Sequence, residues 1–353
     1  MGKVMDNRCP SCNAPITYKP SLGKFKCDYC DNEFNASDLK TEADSTIEVS
    51  ENTDSTQYNQ YNCPDCGAQI IADEHTSATF CLYCGNSSIL KNKLSGAFKP
   101  DYIIPFRKEK KDAVEAFKGL AKGRPFIPKT FLSEKNIEKI TGLYIPFWLY
   151  DLTVKGSVNI SGTKTRTWSS GDTRHVETKY YDLFRQGTFN FDKVPVDGST
   201  KFNDDIMNTI EPFDYSKMEA YNPAYLSGFL AEKYDIESDK AVEAAINRVK
   251  KSSEEQMLAS AVGYGSKTIT KNNLSVVDQT SKYALLPVWM VNVKYKDKFY
   301  LFAMNGQTGE FIGDIPLDKK KVVIWSISMF VGIAVAILLF FFIFVMGGKL
   351  WKN

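Results

Sequence analysis

The 353-residue sequence predicts an α+β protein: two small cysteine ribbons, a mixed α+β middle unit and one C-terminal transmembrane helix. Three observations carry this. Eight cysteines fall into two copies of one spaced pattern, residues 322–346 run for twenty-five positions without a charge, and between them helical and strand periodicities alternate. The parts follow as 1–37, a linker 38–60, 61–96, 97–318 and the span 322–346.

Cys9, Cys12, Cys27 and Cys30 read C-x2-C-x14-C-x2-C, and Cys63, Cys66, Cys81 and Cys84 repeat that pattern 54 residues later. Each close pair can form a tight knuckle whose two thiolates face a common ion, and two knuckles complete a tetrahedral four-sulfur site. A closed thiolate shell leaves no open position for water or substrate. The expectation is therefore two structural Zn2+ ions, with mononuclear iron the minor alternative in the same cage. Each ribbon is too short for a hydrophobic core to suffice alone, and the metal supplies the missing stabilisation. Disulfides are the competing reading, against which stand the paired spacing and a cytoplasmic address.

The segments CPSCNAPITYKPSLGKFKCDYCDNEF and CPDCGAQIIADEHTSATFCLYCGNSSIL resemble the zinc ribbons of general transcription factor IIB. The doublet, followed by a long middle unit and one C-terminal span, is similar to bacterial membrane-anchored double-zinc-ribbon proteins. Some of these are linked to envelope-stress systems, so the resemblance implies phage-shock-protein-A-like or flotillin-like protein partners. Ribbons occur in transcription, replication and adaptor proteins alike, and the match speaks for fold and metal more than for function.

The ribbons lack the basic face with interleaved aromatics that nucleic acid would need. The first sets five cations against four acids; the second has only Lys91 and Lys93 against Asp65, Asp73 and Glu74. This argues for a protein partner, or for packing on the middle unit, over DNA or RNA. Residues 38–60 carry six acids and one lysine and read as a solvated linker that leaves the first ribbon free to move.

In the middle unit, residues 109–120 and 239–262 have helical spacing, while 143–153, 156–160, 163–168, 174–184, 285–295, 298–304 and 310–315 read as strands. Ser169 to Asp172 and Asn305 to Gly309 supply hairpin turns. Tyr144-Ile-Pro-Phe-Trp148 and Leu285-Leu-Pro-Val-Trp289 echo one another, with a partial third copy at Ile103-Ile-Pro-Phe106. Proline belongs at strand starts or edges, so the copies are expected to mark strand entries and a duplicated half is one reading. No catalytic constellation is visible: His75 lies on a ribbon that already has four sulfur ligands, His175 lies in an alternating strand beside Arg174 where a solvated or cross-strand role is expected, no cysteine is spare, and Gly263-Tyr-Gly265 lacks the followers of a phosphate loop. The chain is not expected to be an enzyme.

At about 1.5 Å per residue, the uncharged run 322–346 reaches roughly 37 Å, enough to cross a hydrocarbon core of about 30 Å. Trp325 and Trp351 sit near its ends, and Lys319, Lys320 and Lys321 abut it against Lys349 and Lys352 beyond, a bias that places the N-terminal part in the cytoplasm. Ser328, Gly332 and Ala336 form a small-residue stripe that would admit a second helix. The reading is a single-pass cell-membrane protein that recruits or scaffolds protein partners on the cytoplasmic face. The alternative is a membrane-tethered nucleic-acid-binding regulator.

Overall fold

A computed structural model describes residues 4–5, 8–39, 58–62, 69–73, 76–80, 87–90 and 98–350 apart from 121, 129, 130, 132, 203, 297 and 314. Cys63, Cys66, Cys81, Cys84, His75 and most of the expected linker lie outside the described residues. The N-terminal part supplies β1 (Val4–Met5), β2 (Ile16–Lys19), β3 (Lys24–Cys27), β4 (Glu33–Phe34), β5 (Tyr58–Asn62), β6 (Gln69–Asp73), β7 (Thr76–Phe80) and β8 (Ser87–Leu90). Then come β9 (Tyr102–Ile103), α1 (Lys110–Gly119), α2 (Glu134–Glu138), β10 (Thr141–Ser170), β11 (Thr173–Asp197), α3 (Asp204–Thr209), β12 (Glu219–Ala220) and β13 (Leu230–Glu232). The chain closes with α4 (Ser238–Ser260), β14 (Lys267–Asn272), β15 (Ser275–Tyr295), β16 (Lys298–Asn305), β17 (Phe311–Gly313) and α5 (Lys319–Leu350).

The expected α+β class is not what forms. The protein is mainly β, built on a 12-stranded, largely antiparallel sheet in which β10 is the hub, paired with β11, β13, β14 and β15. Two features hid this. Three expected strands at 143–168 are one continuous 30-residue strand, and the β7–β8 hairpin of the second cysteine repeat enters the main sheet through β13 and β1.

The length of β10 is written in its changing periodicity. From Leu143 to Tyr150 both faces are buried: Tyr144, Trp148 and Tyr150 enter one core, while Leu143, Ile145, Phe147 and Leu149 enter a second with Met207, Ile210 and Phe213 around α3. A strand covered on both sides reads as an unbroken apolar run. From Leu152 to Ile160 only the even face is covered, by Ala245, Val249 and Met257 of α4, and apolar and polar residues alternate. Beyond Lys164 neither face is covered and the sequence turns polar. Gly156 permits this continuity: a Cβ there would meet the Asn273 carbonyl oxygen at 2.1 Å.

The proline echo lies at the sheet centre, not at strand entries. Tyr144 faces Pro287 and Pro146 faces Leu285 across the β10–β15 ladder. Pro146 sits where β13 stops pairing and β11 begins, and Pro287 where β9 stops and β16 begins. Each proline therefore occupies a gap between neighbours, where its missing N–H costs no ladder bond. Their carbonyls accept from Gly198 (2.9 Å) and Gly306 (2.8 Å) in matching fashion.

The helix α5 starts at a fixed joint. The Asp318 N–H donates to the Phe126 carbonyl (2.9 Å), Lys321 Nζ to the Ile127 carbonyl (2.8 Å), and Trp325 meets Phe126 edge-on at 5.6 Å. Apart from this joint the helix is exposed, and its stretch Lys319–Phe341 is long and apolar enough to cross a membrane.

Candidate metal centre

The first cysteine set comes together. Cys9 and Cys12 precede β2, while Cys27 ends β3 and Cys30 follows it, and the short sheet β2–β3–β4 holds the two turns face to face. The turns are alike in detail. Asn13 and Asp31 both have left-handed backbones (φ 62° and 59°), and their N–H groups donate to the carbonyls of Cys9 (2.8 Å) and Cys27 (2.9 Å). The Cys9 and Cys27 N–H groups return bonds to Ala14 (2.8 Å) and Asn32 (3.0 Å).

All four Sγ atoms lie within 4.8 Å of one another, with Cys9–Cys30 at 3.6 Å and Cys12–Cys27 at 3.5 Å. A disulfide needs about 2.05 Å, so these are not bonded sulfurs. Four thiolates at about 2.3 Å from one ion stand roughly 3.8 Å apart in a tetrahedron, close to the separations found. The acid–base chemistry fits a cation as well. Burial pushes the Cys9 thiol up, but the Cys12 and Ser11 N–H groups and the neighbouring thiols more than offset it and hold the thiol at about 7. The Ala14 backbone would lower Cys12, yet burial and the adjacent Cys27, Cys30 and Cys9 push it up to about 12. A cation among the four sulfurs would favour the thiolate form of each. These four cysteines can hold one metal ion.

The ribbon is docked, which corrects the expectation of free movement. Tyr18 meets Tyr225 of the main sheet domain edge-on and Phe25 meets it at a tilt, at centroid separations of 5.1 and 5.2 Å, and all three rings are buried. Asn222 Nδ2 donates to the Ala36 carbonyl at 3.1 Å, and the Tyr225 hydroxyl bonds Glu219. Nothing in the sequence singled out Tyr225 or its partner Glu219, because the contacts of Tyr225 with Tyr18 and Phe25 join residues some two hundred positions apart.

The second repeat recurs as secondary structure: β6, β7 and β8 follow β2, β3 and β4 at the 54-residue offset. Their pairing differs, since β6 joins β5 while β7 and β8 join the main sheet. His175 is exposed and stacks on Trp168 at 5.3 Å, a cross-strand pair with no acid or nucleophile in contact.

The chain is 32% identical over 322 residues to the uncharacterized protein YdjG of Bacillus subtilis (strain 168), a match covering 91% of this chain and 93% of that one. It belongs to the YdjG family. No family model matches the sequence, and no solved structure matches it. YdjG kinship spans nearly the whole chain and therefore concerns the full architecture, not a shared ribbon alone.

Proposed function

We propose that this YdjG-family protein is a membrane-anchored zinc-ribbon adaptor that captures protein partners. The observation that carries the reading is the separation of its two ends. The span departs beside Phe126 and Ile127, near Phe131, Tyr295 and Tyr300 at the start of the β10 ladder, whereas the opposite end of β10 and β11 projects as a bare two-stranded arm. At about 3.3 Å per residue, a 30-residue strand covers roughly 100 Å along its path. Such a body holds a surface far from where it is anchored. The ribbon is then a structural brace: zinc in the Cys9, Cys12, Cys27 and Cys30 cage fixes β2 and β3 so that Tyr18 and Phe25 can grip Tyr225. From their identical spacing, Cys63, Cys66, Cys81 and Cys84 would take a second ion.

The N-terminal part is proposed to face the cytoplasm, from the lysines flanking the span, and the partners to be membrane-associated stress or scaffold proteins, from the resemblance of the double ribbon. The chain has no role in this reading as a catalyst. Elemental analysis of purified protein should return close to two zinc equivalents per chain, and co-purification from mildly solubilised membranes should recover proteins that depend on the arm. Recovery of DNA or RNA in place of protein would favour a membrane-tethered nucleic-acid-binding regulator.

A further inference from the structure

The arm formed by the outer halves of β10 and β11 has two unlike faces and an open edge. In an antiparallel ladder, directly opposite residues share a face. One face carries Lys164 opposite Lys179, Arg166 opposite Glu177, Trp168 opposite His175 and, at its base, Arg185, so four cations meet one acid. Lys164 lies over Tyr264 (4.9 Å) and Tyr181 (5.6 Å), and Arg166 over Trp168 (5.6 Å). The other face is close to neutral and carries an apolar row, Val176, Tyr180 and Phe184, exposed at 59%, 76% and 58%.

Which backbone groups point outward follows from the base of the arm. The Thr163 N–H donates to the Ser266 carbonyl (3.0 Å) and its carbonyl accepts from Gly265 (2.7 Å), both on the side away from β11. Thr163 is therefore a non-hydrogen-bonded partner of Tyr180, and the pairing runs without a shift from there to the Gly171-Asp172 turn. Arg174, Val176, Thr178, Tyr180, Asp182 and Phe184 consequently direct their N–H and C=O groups away from β10. Among the described residues no strand pairs with that edge. A long open edge is a template for another strand unless it is blocked, and this one has no proline between Thr173 and Val194.

We propose that the outer edge of β11, from Arg174 to Phe184, accepts an added strand from a protein partner whose extended segment alternates acidic and apolar residues. The inference rests on the adaptor reading and gives its partner a chemistry. Strand addition takes affinity from the backbone edge and selectivity from alternate side chains. Acidic side chains of the incoming segment would lie beside Lys179, in exchange for its 3.6 Å pairing with Glu177, and its apolar side chains would cover Val176, Tyr180 and Phe184; Arg185, which donates to Ser260 (3.0 Å) and to the Phe184 carbonyl (2.9 Å), marks the inner end of the edge. The chain's own acidic stretch 40–57 cannot be the occupant. It leaves Leu39 close to the Ala36–Asn222 contact and returns to β5, which lies with β6 beside β7, at the root of the sheet. Eighteen residues tied at both ends reach about 30 Å out, against roughly 50 Å along β10 from Tyr144 to Asn159, which faces Phe184 at the near end of the edge.

The test uses the full-length protein in lipid nanodiscs and a fluorescein-labelled ten-residue peptide in which Glu alternates with Val and Tyr. Its controls are the same peptide N-methylated at every second amide, an isomer with the glutamates grouped at one end, and an oligothymidylate of 20 nucleotides. The alternating peptide should bind, both peptide controls should bind at least about tenfold more weakly, and the oligonucleotide should not compete. Thr178→Pro removes one outward N–H and should weaken binding about tenfold, while Thr178→Ala, which loses only the hydroxyl bonded to Thr165, should not. Equal binding of the N-methylated peptide, preference for the oligonucleotide, or a dimer that Thr178→Pro converts to monomer without any peptide binding would each overturn strand addition. If the peptide fails but arm removal still abolishes protein co-purification, the adaptor reading survives and only this inference falls.

Discussion

Replacing Tyr225 by alanine should release the first ribbon from the sheet without emptying its metal site. The ring is 4% exposed and packs against both Tyr18 (4%) and Phe25 (1%), so its loss opens a cavity at the seam between the ribbon and the main sheet. Truncating a buried aromatic to alanine costs about 3–5 kcal/mol. Glu219, the partner of the lost hydroxyl, is exposed and can return to water, so its release adds little. The ribbon can escape the cavity by undocking, and that population should rise by roughly 150- to 4000-fold. Amide exchange in β2 and β3 reads this directly: their protection should fall while that of β10 and β15 stays. Metal content should be unchanged, because the four cysteines hold themselves together through their own turns. Unaltered exchange in β2 and β3, or metal lost along with docking, would refute the argument that packing and metal act at separate places.

Alkaline titration tests the same seam. Burial pushes Tyr18 up to about 12 from an ordinary 10, so the docked state keeps the phenol protonated where the undocked state would ionise it. Stability is full below about pH 10 and is lost between about 10 and 12, by up to roughly 2.7 kcal/mol, and Tyr18→Phe should remove that part of the pH dependence in a chemical-denaturation series. Gly156→Ala places a methyl 2.1 Å from the Asn273 oxygen and should lower thermal stability by a few kcal/mol, about 1–3 from strain alone, with exchange rising first where β14 meets β10. In the span, a Cβ at Gly332 would meet nothing within 4 Å beyond its chain neighbours and the adjacent turns of its own helix backbone. If Ser328, Gly332 and Ala336 receive a second helix, Gly332→Leu should weaken self-association in an in-membrane assay and leave insertion intact; unchanged pairing would reduce the span to an anchor.

The local features were the legible ones. Cysteine spacing and the uncharged run are each contained within a few dozen residues, and the structure brings together the four described cysteines that the spacing joined. The helix α4 was likewise visible, because its buried positions Ala241, Ala245, Val249 and Met257 recur at helical spacing. The fold class was not. The positions left between the expected strands, 154–155 and 161–162, are not breaks: β10 runs through them, and the growing share of polar residues from 155 onward records that first one face and then the other emerges from the core. Proline is the second instance: Pro146 and Pro287 signal strand ends locally, and only the pairing of β9, β11, β13 and β16 shows that each falls in a gap. Tyr225 against Tyr18 and Phe25, and the cation-bearing face of the arm, depend on register and on docking across the chain. The pattern of cations and aromatics sought in the ribbons occurs instead on the arm, where Lys164, Arg166 and Trp168 alternate with threonines.

The most direct test of the adaptor account is co-purification from membranes with and without the arm. Lys164 and Lys179 are opposite one another, an even number of pairs from the native turn, so residues 165–178 can be replaced by Asn-Gly to close a two-residue hairpin at that level. The shortened protein and the wild type are expressed at equal levels, solubilised in mild detergent and compared by quantitative mass spectrometry. The account predicts that the shortened protein stays in the membrane fraction, keeps its metal, and loses the partners that the wild type recovers. Recovery of the same partners in the same amounts by the armless protein would contradict it.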